Sequence, residues 1–221
     1  MALISGVKKL VRSIVEKRTR GIILKRRLPP TFGYSPIFVT PEAGLKYLFR
    51  PISEADPQLL ALANEFVYPG SVVWDVGANI GLFSVAAAHK AGSKGKVIAI
   101  EPDIWLDTLL QRSAHAQPEN TAPINIISAA VADKLGIRNF LIAARARATN
   151  SLEGFGSTQT GGTRQRQPVI TVTLDWLGEY YSLPNILKID VEGAELEVLL
   201  GGLNILKKAM PIIIVEVTHQ E

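Results

Sequence analysis

The stretch that decides the fold runs from Ser71 to Ser84, SVVWDVGANIGLFS. It opens with apolar Val72, Val73 and Trp74, reaches Asp75, passes through Gly77, Asn79 and Gly81, and continues into Leu82-Phe83-Ser84-Val85-Ala86-Ala87-Ala88. A short apolar run, then glycines, then a helix-forming run is the strand–turn–helix that opens a nucleotide-binding α/β unit. The glycines let the backbone turn tightly and approach a ligand closely. The helix that follows presents unpaired N–H groups and the positive end of its dipole.

The glycine spacing narrows the ligand. A dinucleotide fingerprint places glycines at i, i+2 and i+5, whereas Gly77 and Gly81 stand at i and i+4 with Asn79 between them. Asp75, just before the turn, meets a pyrophosphate unfavourably and a cationic ligand well. Beyond Gly81 a second apolar run, Lys96–Ile100, ends in Glu101-Pro102, and an acid there accepts both hydroxyls of an adenosine ribose. DVGANIG followed by VIAIEP resembles the cofactor site of class I S-adenosylmethionine-dependent methyltransferases. The rival readings are a glycine turn that binds nothing and a nicotinamide dinucleotide site; Asp75 and the glycine spacing weigh against the latter.

The 221 residues suit one domain with an extension, long enough to bury a sizeable core. With no cysteine, disulfides, thiol catalysis and Cys-ligated metals are excluded. No apolar run reaches the roughly 18 residues of a spanning helix. The net charge of +4 hides an asymmetry: residues 1–30 hold nine Lys/Arg against the single acid Glu16, and the remainder fifteen against nineteen acids. The basic character thus belongs to the N-terminal segment, which argues against a general nucleic-acid binder.

In residues 1–27, Leu3, Ile4, Val7, Leu10, Val11, Ile14 and Val15 recur at helical spacing, interrupted by Lys8, Lys9, Arg12, Glu16 and Lys17. The charges break the continuous apolar core a signal peptide needs. A basic amphipathic helix suits an anionic membrane surface or a protein partner, giving a cytoplasmic chain peripheral at the inner membrane surface. The plainer alternative is a helix docked on its own domain. Residues 28–55, with Pro29, Pro30, Pro36, Pro41 and Pro51, read as linker and lid, and residues 56–221 as the ligand-binding domain.

Asp56-Pro57 opens a helix, with Asp at the N-cap and Pro in the first turn. Further core strands are expected at 124–127, 186–190 and 212–215, with helices between them. Arg138–Ile142 and Val169–Thr173 alternate as flanking strands of an inserted antiparallel hairpin with a mobile polar tip. Strands alternating with helices give an α/β fold with a doubly wound, mainly parallel, Rossmann-like sheet.

The fourth core strand and its turn read KIDVEGAE, Lys188–Glu195. Together with DVGANIG, AVADKLG after the third strand, Asn150-Ser151-Leu152 and VTLDWL before the fourth, this resembles the FkbM-type branch of class I methyltransferases, over residues 56–219. The resemblance implies S-adenosylmethionine as cofactor and O-methylation of hydroxyls on glycans, glycolipids or secondary metabolites. It implies that the turn from Gly77 through Asn79 to Gly81 holds the methionine part, with Asp75 near its ammonium group. Glu101 would then bind the ribose, and Ser128-Ala129 border the adenine. Members of the class normally follow the fifth strand with a helix and an antiparallel strand pair. Here that pair is expected to be missing, leaving the fifth strand as an apolar edge that pairs with a second copy in a homodimer. A catalytically incomplete module that binds membrane or a partner is the alternative reading.

The turn after the fourth strand supplies the candidate catalytic acids, Asp190 and Glu192, beside the expected methyl position. A base there can take the proton of an acceptor hydroxyl. Asp190 pairing with Lys188, and Glu192 capping the next helix, are the structural alternatives. His219 is a further candidate base; with Asp190, Glu192 and Glu216 it offers ligands for a divalent cation, but no metal-binding motif is found and no metal is assigned.

Overall fold

Five strands lie parallel at the centre: β3 (Val72–Val76), β4 (Lys96–Ile100), β5 (Ile124–Ile127), β10 (Ile186–Ile189) and β11 (Ile212–Val215), in the order β11-β10-β3-β4-β5. This computed structural model describes Arg12, residues 14–156 and residues 162–217. The strands are short apolar runs because both faces of the sheet are covered. Val73 and Ile186 face one helical layer, while Trp74, Val76, Leu187 and Ile189 face the other. The first layer holds α1 (Pro57–Phe66), α2 (Leu82–Ala91) and α3 (Ile104–His115). The alanines of α2 are fully buried, so this helix packs close against the sheet. α3 starts where Asp103 accepts a hydrogen bond from the Trp105 N–H, an N-cap of the kind that fixes a helix start. The second layer holds α4 (Leu174–Leu177), α5 (Glu195–Leu200) and α6 (Leu203–Ala209).

An inserted sheet stands beside this core. β6 (Ala130–Val131), β7 (Gly136–Ala143), β8 (Ser151–Leu152) and β9 (Thr163–Val172) lie in the order β6-β9-β7-β8, with β7 and β9 antiparallel. The expected hairpin is present, but β9 begins at Thr163, so TRQRQ is strand and not loop. Cross-strand pairing supplies the backbone partners that its polar side chains give no hint of. Residues 157–161 of the expected tip lie outside the described residues.

The proline-rich segment read as linker and lid is packed into the core. β1 (Leu24–Arg27) and β2 (Pro36–Val39) form an antiparallel pair. Leu28, Phe32, Ile37, Val39, Tyr47 and Ile52 are buried in one cluster with α1 and α2. β2 is tied to α3 by the Phe38 N–H donating to Ser113 Oγ at 2.9 Å and by Gln117 Nε2 donating to the Pro36 carbonyl at 2.8 Å. The prolines sit where a missing N–H costs least: Pro30 opens a 3₁₀ turn, Pro36 opens a strand, and Pro51 precedes a helical turn. The expected boundary after residue 27 falls at the end of β1 and separates it from its partner β2.

Of the N-terminal helix, Arg12 and residues 14–18 are described and helical, with Arg12 and Glu16 paired at 2.7 Å. Leu3, Ile4, Val7, Leu10 and Val11 lie outside the described residues. Among the described residues no helix is long and apolar enough to cross a membrane, and β11 is the edge of the central sheet with Ile212, Ile213 and Val215 partly exposed.

Removing residues 1–55 should abolish cooperative thermal unfolding, because it strips a layer from the face of α1 and α2. A truncated chain that melts cooperatively at the full-length temperature would show that the segment is a linker after all.

Candidate active site

The turn after β3 is held against the ends of three strands. At Gly77 φ is +75°, and a Cβ there would lie 1.9 Å from the Asp190 carbonyl oxygen. Only glycine permits this crossing of β3's loop over the end of β10. The Gly77 and Ala78 N–H groups both donate to the Ile100 carbonyl at 3.0 Å. Asn79 is left-handed at φ 55°, and its Oδ1 accepts from the Ile80 N–H at 2.7 Å. At Gly81, φ +81°, a Cβ would meet Leu110 Cδ1 at 2.1 Å, so this glycine lets α2 start close to α3.

Between this turn and the inserted sheet lies a cleft of about 580 Å³, part of it open to solvent. Ile100, Leu106, Ala129, Phe140 and Leu152 give it apolar walls, and Glu101 stands in it. Glu101 Oε2 accepts from the Asn79 N–H at 2.7 Å and Oε1 from the Asp103 N–H at 2.8 Å. Burial pushes its carboxyl up to about 8; the Asp103 and Asp75 carboxylates add to this, and the two N–H donors oppose it. A flat apolar slot with a carboxyl at its side is the donor set for a nucleoside, whose ring removes apolar surface from water and whose diol donates to an acid.

One side of the cleft is closed by Arg147, Ala148 and Asn150, which the sequence reading did not single out beyond the Asn150-Ser151-Leu152 segment. Arg147 Nη1 donates to Asp103 Oδ1 and Oδ2 at 2.8 and 2.6 Å, and Nε reaches Glu42 Oε2 at 3.2 Å. Asn150 Nδ2 donates to Asp103 Oδ2 at 2.7 Å. Burial opposes charge on Glu42, but Arg164, the Gly21 N–H and Arg147 outweigh it and hold its carboxyl below the usual range. No local pattern announces this network, because its members come from the N-terminal segment, the start of α3 and the insertion.

Asp75 is not on a cavity surface. It is fully buried, accepts from Ser84 Oγ at 2.6 Å, and lies 3.1 Å from Lys188 Nζ. Lys188 is itself buried; its ammonium also lies 3.3 Å from Asp190 Oδ2 and donates to the Gly77 carbonyl at 3.3 Å. Burial alone would lower the lysine pKa, but Asp75 and Asp190 outweigh it and raise it. The expected contact of Asp75 with a ligand ammonium group is therefore corrected: its charge is already matched within the sheet. Ser128 also departs from expectation. Its hydroxyl donates to Asp107 Oδ2 at 2.9 Å, and it is the neighbouring Ala129 that lines the cleft.

Asp190 and Glu192 do come together, on the boundary between the cleft and a second cavity of about 830 Å³ that is partly open to solvent. Gly77, Asn79 and Ala148 lie on the same boundary. Glu192 is left-handed at φ 52°, a conformation costly for a residue with a Cβ and one that concentrates at functional sites. Burial, then the charges of Asp190, Glu216 and Glu195, push its carboxyl up to about 7. It does not cap the next helix: Glu195 Oε1 accepts the Gly193 N–H at 2.8 Å instead. Glu216, missed as a site residue apart from the metal alternative, lines the second cavity, and the Asp190 charge, with burial, raises its pKa. His219 lies outside the described residues.

The sequence profile of the methyltransferase FkbM domain matches residues 75–221. Hexuronic acid methyltransferase AglP of Haloferax volcanii is 27% identical over 199 residues, covering 89% of this chain and 76% of that protein. The crystal structure of methyltransferase FkbM from Methylobacillus flagellatus KT superposes with a TM-score of 0.46 at 16% identity, over 71% of this chain and 39% of that one. This chain therefore spans about two fifths of that solved protein. A protein-L-isoaspartate O-methyltransferase from Plasmodium falciparum, solved with S-adenosyl-L-homocysteine, aligns over 32% of this chain and 35% of that one with a TM-score of 0.27 at 27% identity.

Lys188→Met should destabilise the protein by about 3–5 kcal/mol, since it leaves Asp75 buried without its counter-charge. The double variant Lys188→Met/Asp75→Asn should recover a large part of that loss. Urea unfolding measures both, and a single-variant cost below about 1 kcal/mol, the scale of an exposed pair, would show that the pair does not hold the loop.

Proposed function

Because the chain belongs to the methyltransferase FkbM family, we propose that it holds S-adenosylmethionine across the carboxyl ends of β3 and β4 and methylates a hydroxyl of a glycan. The chain is an S-adenosylmethionine-dependent methyltransferase. The observation that carries the placement is the shared boundary: the apolar nucleoside cleft opens onto the acid-rich second cavity at Asp190 and Glu192. The sugar acceptor is supported by the relative named for hexuronic acid methylation.

When bound, S-adenosylmethionine supplies an electrophilic methyl carbon on a positively charged sulfur. Ile100, Leu106 and Phe140 line the slot that would take the adenine, and Glu101 would accept the ribose hydroxyls. The Gly77–Gly81 turn would face the amino-acid part, beside Asp190. Glu192 takes the acceptor hydroxyl's proton on its carboxylate. Asp190 is already matched by Lys188, which leaves Glu192 to exchange the proton. Positioning of the acceptor oxygen by the walls of the second cavity would supply most of the remaining acceleration.

Charge is what supports a location for the chain. Nine Lys/Arg against one acid over residues 1–30 support peripheral attachment to an anionic membrane on its cytoplasmic side, each cation contributing about 1 kcal/mol near the surface. Co-sedimentation with anionic vesicles at low salt and release at high salt is the expected behaviour; indifference to vesicles at low salt excludes it.

S-adenosylhomocysteine at about 100 times its dissociation constant should stabilise the protein by roughly 2.7 kcal/mol and raise its melting temperature, with NAD giving no shift. The reverse pattern would remove the cofactor assignment. Because Glu192 works only when deprotonated and holds its proton up to about 7, kcat/KM should rise with pH through that value. Glu192→Gln should remove the rising limb and lower kcat about 10²–10⁴-fold while keeping cofactor affinity. An unchanged limb in the variant would pass the role to another group.

A further inference from the structure

The second cavity has a wall that the chemistry above does not use. Lys46, Tyr47, Asp56 and Gln58 line it from the segment that precedes β3, outside the residues matched by the family profile. Lys46 pairs with Asp56, and its ammonium sits 5.3 Å from the centroid of the buried Tyr47 ring, which holds it against the cavity wall. Gln58 is exposed at the mouth, and Glu216 faces this wall from the end of β11. We propose that this wall is the acceptor's sugar subsite, in which an uncharged, hydroxyl-rich ring is held between the Lys46–Asp56 pair and Gln58 on one side and Glu216 on the other.

The chemistry of the wall selects that ligand. A sugar ring presents adjacent hydroxyls that both donate and accept. Asp56 and Glu216 accept, while Lys46 and the Gln58 amide donate. The charge balance selects further. Lys46 is already matched by Asp56 and Lys188 by Asp75 and Asp190, so Glu192 and Glu216 leave the cavity with an excess of acid. A phosphate would meet unmatched carboxylates there, whereas a neutral ring meets hydrogen-bonding partners. Because Glu192 stands on the boundary with the nucleoside cleft, a ring in this subsite has its inner hydroxyls next to the proposed base. The subsite rests on the methyltransferase reading and adds to it that acceptor choice is made by the N-terminal segment.

The test uses the full chain saturated with S-adenosylhomocysteine, probed with methyl β-D-glucopyranoside and glucose 6-phosphate by ligand-observed NMR titration. The glucoside should bind, and the phosphate should bind about tenfold or more weakly, the scale of one unfavourable charged contact. Gln58→Ala and Lys46→Met should each weaken the glucoside about threefold to tenfold, leaving the S-adenosylhomocysteine affinity within about twofold of wild type. Gln58 is exposed, so its variant keeps the test open if the Lys46 variant fails to fold. Three results overturn the proposal: no glucoside binding to the saturated protein, unchanged glucoside affinity in the folded variants, or equal affinity for the phosphate. If S-adenosylhomocysteine itself fails to bind wild type, the cofactor reading falls and the subsite with it, which separates the two failures.

Discussion

The site depends on one buried ammonium. Lys188 lies on the face of β10 that meets α1 and α2, directly beside Asp75 in the strand register, and it reaches Asp190 and the Gly77 carbonyl as well. A charge in such a place is tolerated only when matched and hydrogen-bonded. The consequence runs both ways. Lys188 is held by the turn after β3, and that turn cannot shift without exposing Lys188 to a low-dielectric interior lacking its carbonyl and carboxylate partners. The crossing at Gly77, with no room for a Cβ, locks the same two segments sterically.

That arrangement divides labour among the acids. Asp75 and Asp190 share the Lys188 ammonium, whereas Glu192 is pushed up to about 7 by burial and its acidic neighbours. Two carboxylates two residues apart thus acquire different tasks because only one faces a lysine. On the other side of the turn, Glu101 is fixed by two backbone N–H groups, so its orientation is set before any ligand arrives. Arg147, held between Asp103 and Glu42, ties the inserted sheet and the N-terminal segment to the same cleft.

Much of this was legible in the sequence. The strand–turn–helix at 71–84, Glu101 at the end of the second core strand and the pairing of Asp190 with Glu192 in one turn depend on residues close together in the chain, and all are where the pattern places them. What escaped depends on contacts between distant residues. Whether Asp75 faces a ligand or a lysine is decided by the register of a strand 113 residues later, which no local pattern encodes. Prolines at 29–51 signal broken regular structure, and a packed series of turns breaks it as thoroughly as a linker does; only the burial of Leu28, Phe32 and Ile37 separates the two. The second cavity's wall was invisible for the same reason, since Lys46 and Asp56 meet Glu216 only in the folded chain.

The central claim is the orientation of the cofactor relative to the two cavities, and a crystal structure of the protein with S-adenosylhomocysteine tests it most directly. The account predicts the ribose hydroxyls within hydrogen-bonding distance of Glu101, the adenine between Ile100, Leu106 and Phe140, and the sulfur turned toward Glu192 and the second cavity. A nucleoside bound elsewhere, or a sulfur facing away from Glu192, would contradict it.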